Sequence, residues 1–222
     1  MIDDPSLEGA RHAQALRGLE RINGVSRNVR ALWPPIEALG RSQQGRPLRI
    51  LDIATGAGDV PIRLWRKAQH AGLRLKIEGC DRSRQAVEHS RARAAHAGAG
   101  IVFFTLDALT EAIPGEHDVL MCSLFLHHLD DGSAVMLLRR MAQSARQLVL
   151  VNDLIRHPAG WALAYVGTRL LSASSIVHHD GPQSVRAAYT LDEVRQLARA
   201  AGLQGTSIVP CWPYRFLLSW RR

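Results

Sequence analysis

Short apolar runs recur along the middle of the chain, and between them apolar residues fall three and four apart. The runs are Leu48–Ile53, Leu75–Cys80, Ile101–Thr105, Asp118–Ser123 and Gln147–Asn152, each of a length suited to a buried strand. The stretches between them, from about Val60 to Ala71, Ser83 to Ala97 and Asp131 to Ala145, repeat with a helical period. Strand and helix alternating in this way predict right-handed crossovers and an α/β fold built on a doubly wound, mostly parallel sheet. Thr190-Leu191-Asp192-Glu193 has the pattern of a capping box. It opens a helix with Val194, Leu197, Ala198 and Ala201 on one face and Gly202 as its stop. Residues 205–220 read as two further strands joined through Pro210-Cys211-Trp212-Pro213, an antiparallel hairpin that brings the sheet to seven.

Two regions fall outside that rhythm. Residues 5–42 carry two helical patterns, the first opened by Asp4-Pro5 with a stripe of Ala15, Leu16, Leu19 and Ile22. The second is expected to break at Pro34-Pro35. Both precede the first strand, so residues 1–46 are expected to form an N-terminal helical cap, and 47–222 the main domain. Leu154 to Tyr189 reads as a long irregular insertion, a length usually given to lids and binding loops. Trp161, Tyr165, Leu170, Leu171, Ile176 and Tyr189, with Trp33 from the cap, are expected to build an apolar pocket for a flat small molecule. Arg156, Arg169 and Arg186 are candidates to meet an acidic group on it.

Composition narrows the classes. The 222 residues suit one domain with decorations, and no run approaches the ~18 apolar residues of a membrane span. The acidic start Met1-Ile2-Asp3-Asp4 lacks the apolar core of a secretory signal. Cys80, Cys122 and Cys211 form no paired spacing, so a reducing, cytoplasmic setting is expected. The net charge is +8, but the arginines are scattered and form no run of five or more, so nucleic acid is not the expected partner.

The chemistry centres on Asp52-Ile53-Ala54-Thr55-Gly56-Ala57-Gly58-Asp59, an acid and a small-residue loop between the first strand and the first core helix. Glycines there let backbone approach a ligand. The dinucleotide fingerprint needs a third glycine at position 61, where Pro61 stands. The other frame, acid-x-small-x-Gly-x-Gly, resembles the class I S-adenosylmethionine-dependent methyltransferases, small-molecule type. The resemblance covers residues 48–155 and returns at Thr190–Trp220. It implies a Rossmann-like methyltransferase fold with S-adenosylmethionine as cofactor and a small-molecule acceptor.

Carried over residue by residue, the resemblance places Asp52, Ala54, Thr55, Gly56 and Gly58 in the cofactor loop. Asp81 and the neighbouring Arg82 fall at the ribose, Asp107 and Ala108 at the adenine, and Ser123 and Leu124 at the methionine part. Ala54 stands where the commonest form has glycine; since alanine disfavours positive φ, ordinary backbone is expected there. Quinone-biosynthesis C-methyltransferases resemble this variant loop.

For the chemical step, Leu126-His127-His128-Leu129 follows the fourth strand, and histidine suits a base that takes an acceptor proton. His127 is the first candidate and His128 the second, with Asp153 as a group that orients a histidine. His178-His179-Asp180 has too few neighbouring acids for a metal site, so no metal is expected. These features predict O-methylation of an aromatic or polyketide-like acceptor. C-methylation of a quinone-type ring is the alternative, and an RNA or protein methyltransferase the third reading. Oligomeric state is not legible.

Overall fold

A computed structural model describes residues 28–43, 45–171 and 174–222. The expected Asp4-Pro5 cap and the Ala15–Ile22 stripe lie outside the described residues. Seven strands form one sheet: β1 (Leu48–Ile53), β2 (Leu75–Asp81), β3 (Val102–Thr105), β4 (Val119–Ser123), β5 (Leu148–Leu154), β6 (Ser207–Cys211) and β7 (Arg215–Arg221). Their order is β3-β2-β1-β4-β5-β7-β6. β1 to β5 pair in parallel, and β7 runs antiparallel between β5 and β6. The chain reverses direction across the sheet beside β1, and ligands in such sheets bind at the carboxyl ends of the strands around that point.

The helices are α1 (Asn28–Ser42), α2 (Asp59–His70), α3 (Arg84–His96), α4 (Asp131–Ser144), α5 (Pro158–Leu171), α6 (Ser175–Ala187) and α7 (Leu191–Ala200). Alternation along the strands sorts the core into two faces. Leu48, Ile50, Val119, Met121, Leu148 and Leu150 meet α1 and α2. Leu51, Ile53, Leu120, Cys122, Val149 and Val151 meet α4 and α7. The last helix is capped as its sequence predicts, with Thr190 and Glu193 bonding reciprocally and Gly202 following in a left-handed conformation.

Three expectations about local structure need correcting. Pro34 and Pro35 lie inside α1 and do not end it. They remove helix bonds at about 3 kcal/mol each, but Leu32, Trp33, Ile36 and Leu39 are all buried at about 1.5–3 kcal/mol per side chain, so packing wins. The stretch from Leu154 to Tyr189 is not irregular but an antiparallel pair of helices, α5 and α6. Two glycines of this stretch serve as contacts: a Cβ on Gly181 would lie 2.4 Å from the Thr168 methyl, so glycine is what lets the two helices cross closely. A Cβ on Gly160 would press on the Tyr214 ring at 3.0 Å.

Trp33 is the third. It is buried against the sheet with Lys67 of α2 over its ring, so it packs the core and lines no lid pocket. α1 ends at the amino edge of the sheet, where Gln43 bonds Gln147 and Arg46 clamps the buried Asp118 through two bonds of 2.7 and 2.8 Å. Burial opposes the Asp118 charge, but Arg46, the Arg49 amide and Gln147 together pull its pKa down to about 2.

Candidate active site

The acid loop sits at the carboxyl end of β1. Asp52 is buried; its Oδ2 accepts from the Thr55 hydroxyl at 2.8 Å, and its Oδ1 has no hydrogen-bond partner. Burial raises its pKa to about 7, with the Asp81 charge adding to the rise and the Thr55 bond opposing it. Asp81 closes β2 and reaches back into the loop, accepting from the Gly56 amide and the Ser83 amide, both at 2.9 Å. A carboxylate has about four acceptor positions, so both oxygens keep capacity for ligand hydroxyls. Arg82 beside it is exposed.

The two glycines do different work. Gly56 has φ +55 and open space where a side chain would stand, whereas at Gly58 a Cβ would lie 3.1 Å from both Phe103 and Ser90. Gly56 leaves open space beside the loop, and the bare Cα of Gly58 lets the loop pack on α3 and β3. Ala54 differs from expectation: its φ is +53. Alanine pays about 1–2 kcal/mol there, offset by bonds of the loop that follows it, from the Thr55 amide to the Cys80 carbonyl and from the Gly58 amide to the Thr55 carbonyl. Ala54→Gly is expected to raise stability by about 1 kcal/mol, read as a higher urea midpoint; an unchanged or lower midpoint would contradict the strain.

α3 holds this loop through residues that the sequence did not single out. The Ser90 hydroxyl donates to the Gly56 carbonyl at 2.7 Å, and Arg93 donates to the Ala57 carbonyl and to Asp59. Ser90 stands on the buried stripe of α3 with Val87 and Ala94, and Arg93 lies next to that stripe, so neither residue type marks a site in the sequence. At β3, the Asp107 side chain accepts from the Leu109 amide in a turn. The Ala108 methyl is buried in the core, leaving its backbone for any ligand contact. Ser123 ends β4 with its hydroxyl buried and unpartnered, and Leu124 follows at φ +56.

The 3-10 turn Leu126–His128 comes next, and here the structure joins two of the candidates. His127 Nδ1 lies 2.6 Å from Asp153 Oδ1, with both side chains buried. Asp153 is the next-to-last residue of β5 and also accepts from the amides of Leu126 and Leu154. Burial works against the Asp153 charge, but His127 and those amides outweigh it, and its pKa falls below the usual value. An ionised carboxylate only accepts, so Nδ1 carries the proton and Nε2 is the basic nitrogen. His128 is exposed, its ring 4.2 Å from that of His127.

The α5–α6 pair is tied to this turn. The Tyr189 hydroxyl donates to the Leu129 carbonyl at 2.7 Å, and Arg156 bonds Glu193 and the Ala188 carbonyl. Arg169 covers the Tyr165 ring and Arg186 lies over Trp161, so both arginines pack on aromatic rings of α5. Leu170 is exposed; the side chains of Leu171 and Ile176 lie outside the described residues. His179 lies 3.4 Å from Asp180, and among the described residues no three potential metal ligands converge. No helix among them is long and apolar enough to cross a membrane.

Residues 50–147 match a family model described as a methyltransferase domain. Among curated proteins, the ubiquinone biosynthesis O-methyltransferase of Thiobacillus denitrificans is 26% identical over 159 residues, covering 70% of this chain and 64% of that protein. Its counterpart from Sodalis glossinidius is 27% identical over 121 residues, covering 53% and 46%. The chain thus spans less than two thirds of the length of either. Two solved structures share the fold. The S-adenosylmethionine-dependent methyltransferase SibL aligns over 99% of this chain and 60% of its own, with TM-score 0.70 and 19% identity. Magnesium protoporphyrin IX methyltransferase from Synechocystis, with S-adenosylhomocysteine bound, aligns over 99% and 90%, with TM-score 0.60 and 16% identity. The acid–glycine loop, the strand order and the matched model agree: residues 50–147 match a methyltransferase domain, and the chain shares its fold with S-adenosylmethionine-dependent methyltransferases.

Proposed function

We propose that this protein transfers the methyl group of S-adenosylmethionine to a hydroxyl of a small aromatic or polyketide-like acceptor. The observation that carries this reading is the buried His127–Asp153 pair at the ends of β4 and β5, a base and its orienting group on the edge where the cofactor loop also lies. That the curated relatives are O-methyltransferases supports oxygen as the atom.

The site fits the cofactor. The open space at Gly56 and the unpartnered, buried Asp52 oxygen suit the backbone and ammonium group of its methionine part. Asp81 suits the ribose hydroxyls; Asp107 and Ala108 are assigned to the adenine, with Ala54, Thr55, Gly58 and Arg82 shaping the loop around it. When bound, the cofactor supplies a sulfonium methyl that already carries its leaving group. The chain's share is to align the acceptor oxygen, exclude water and take the proton. His127 Nε2 receives the hydroxyl proton as the oxygen–methyl bond forms, while Asp153 holds the ring and balances the imidazolium charge. α5 and α6 cover this edge.

The loop's likeness to quinone-biosynthesis C-methyltransferases supports a second reading, in which the same proton removal activates a ring carbon. Incubation with methyl-labelled cofactor and a panel of phenols and quinols, followed by NMR of the product, separates the two. A label at the shift of a methoxy group is the expected result, a ring methyl supports the second reading, and label in RNA or protein alone would overturn both.

A further inference from the structure

Scattered along the sequence, several arginines gather at one place in the fold. Asp59, Ile62, Arg63 and Arg66 fall three and four apart on α2, and His89, Arg93 and His96 do so on α3. These two faces line a cleft of about 380 Å³ between the helices, inside the range of small-ligand sites, about 300–1,000 Å³. The cleft is reached from solvent: Arg66 and His96 are exposed, and Arg63, His89 and Arg93 are half-buried. Ile62, clustered with the buried Val87 and Ala94, forms its floor. None of the residues assigned to the cofactor or to the proton transfer lines it.

Three guanidiniums and two imidazoles face a single carboxylate there. That carboxylate, Asp59, accepts from Arg93 at 2.8 Å. Packing does not demand such a one-sided lining. Exposed helix positions commonly alternate in sign, as Arg84 and Glu88 do on the first turns of α3, because like charges on neighbouring turns destabilise. A cleft lined by one sign of charge focuses its field and concentrates ions of the other sign. Guanidinium forks match phosphate oxygens in geometry as well as in charge. Nucleic acid also carries phosphates, but no Phe, Tyr or Trp lines the cleft for a base to stack on, and its volume suits a compact ligand.

We infer that the cleft between α2 and α3 binds a small polyphosphate, a diphosphate group that is free or carried on a nucleoside, and that this site is linked to the cofactor loop. The link is Arg93. Its guanidinium borders the cleft and also donates to the Ala57 carbonyl at 2.6 Å and to Asp59, so it fastens the residues that follow Gly56. An anion seated in the cleft competes with Asp59 for this guanidinium and repels the carboxylate. The loop is loosened and the cofactor bound more weakly; by reciprocity the cofactor weakens the anion by the same factor.

The test is calorimetric titration of pyrophosphate, ADP and sulfate at fixed ionic strength, with S-adenosylhomocysteine present to fill the cofactor site. Wild type is expected to bind pyrophosphate more tightly than sulfate by about tenfold or more. ADP equal to pyrophosphate identifies the free diphosphate as sufficient, and tighter ADP identifies a nucleoside diphosphate. Arg66→Gln weakens pyrophosphate by about tenfold, the effect of one charge-assisted hydrogen bond. Arg199→Gln makes the same charge change on α7 and leaves pyrophosphate binding unchanged. Both side chains are exposed, so neither variant shifts the unfolding midpoint. Without pyrophosphate, S-adenosylhomocysteine is expected to bind about fivefold more tightly than in its presence, the lower end of common couplings. Sulfate binding as tight as pyrophosphate, or equal weakening in the two variants, overturns the site. S-adenosylhomocysteine affinity unchanged or raised by pyrophosphate overturns the link, and a single-stranded RNA that displaces pyrophosphate at lower concentration overturns the small-ligand assignment. A wild type that binds pyrophosphate but not S-adenosylhomocysteine keeps the cleft and loses the methyl-transfer reading.

Discussion

Replacing His127 by alanine is expected to lower kcat by about 100- to 10,000-fold, the range spanned by positioned general bases, with S-adenosylhomocysteine affinity unchanged. The argument is geometric. His127 Nδ1 is committed to Asp153 at 2.6 Å, which leaves Nε2 as the proton acceptor. Asp153→Asn tests the same pair from the other side. An amide can present its oxygen or its NH2 to the ring, and the latter inverts the tautomer and removes the base. Its expected loss approaches that of His127→Ala, and the double variant is expected to lose little more than either single one, as groups that act as a unit do. The ascending limb of the kcat–pH profile should disappear in His127→Ala. A loss under tenfold with the limb retained would reassign the base, with His128 next in line.

Asp52→Asn is expected to stabilise the protein above pH 7 while weakening its cofactor. The folded pKa of about 7, raised by burial first and by Asp81 second, lies above the unfolded value of about 3.9. The native state therefore holds a proton that the unfolded state has released. The contribution is fully present below pH ~4, declines as pH rises toward 7, and is gone above it. At ~1.4 kcal/mol per pKa unit, an asparagine that keeps the Thr55 bond should gain about 2–4 kcal/mol at pH 8 and almost nothing at pH 4. Urea unfolding at the two pH values measures this, and equal differences would contradict it. In the wild type, an ammonium group placed at Asp52 favours the carboxylate, so cofactor binding at pH 7 should release protons, seen as a binding heat that depends on buffer. Stability held back at a binding site is a common trade.

The strand positions and the acid–glycine loop were legible because each rests on a local signal: a buried run, a missing Cβ, a capping box. What failed were positions where packing at long range overrides local preference. Pro34-Pro35 reads as a break until the buried stripe of Leu32, Trp33, Ile36 and Leu39 is counted against it. Gly181 reads as a loop residue because nothing near it in sequence reveals Thr168 as its neighbour. Ala54 reads as ordinary backbone because its φ is set by the bonds of Thr55 and Gly58, not by its own preference.

The candidate site divides the same way. Asp52, Gly56, Asp81, His127 and Asp153 are each visible as a residue type at a strand end. That Asp153 reaches His127, and not another histidine, is a matter of strand order, since β4 and β5 are neighbours. Ser90 and Arg93, which hold the loop from α3, carried no sequence signal.

The most direct test of the central claim is calorimetric titration of S-adenosylhomocysteine, with NADH as control, into the wild type, Gly56→Val and Asp81→Ala. A side chain at Gly56 would fill the open space beside the loop and is strained at φ +55, and alanine at 81 removes the carboxylate that accepts from the Gly56 amide and that we assign to the ribose. Binding of S-adenosylhomocysteine to the wild type, weakened by at least tenfold in both variants, with no heat from NADH, is the predicted result. Absence of binding in the folded wild type, or binding of NADH in its place, would contradict the account.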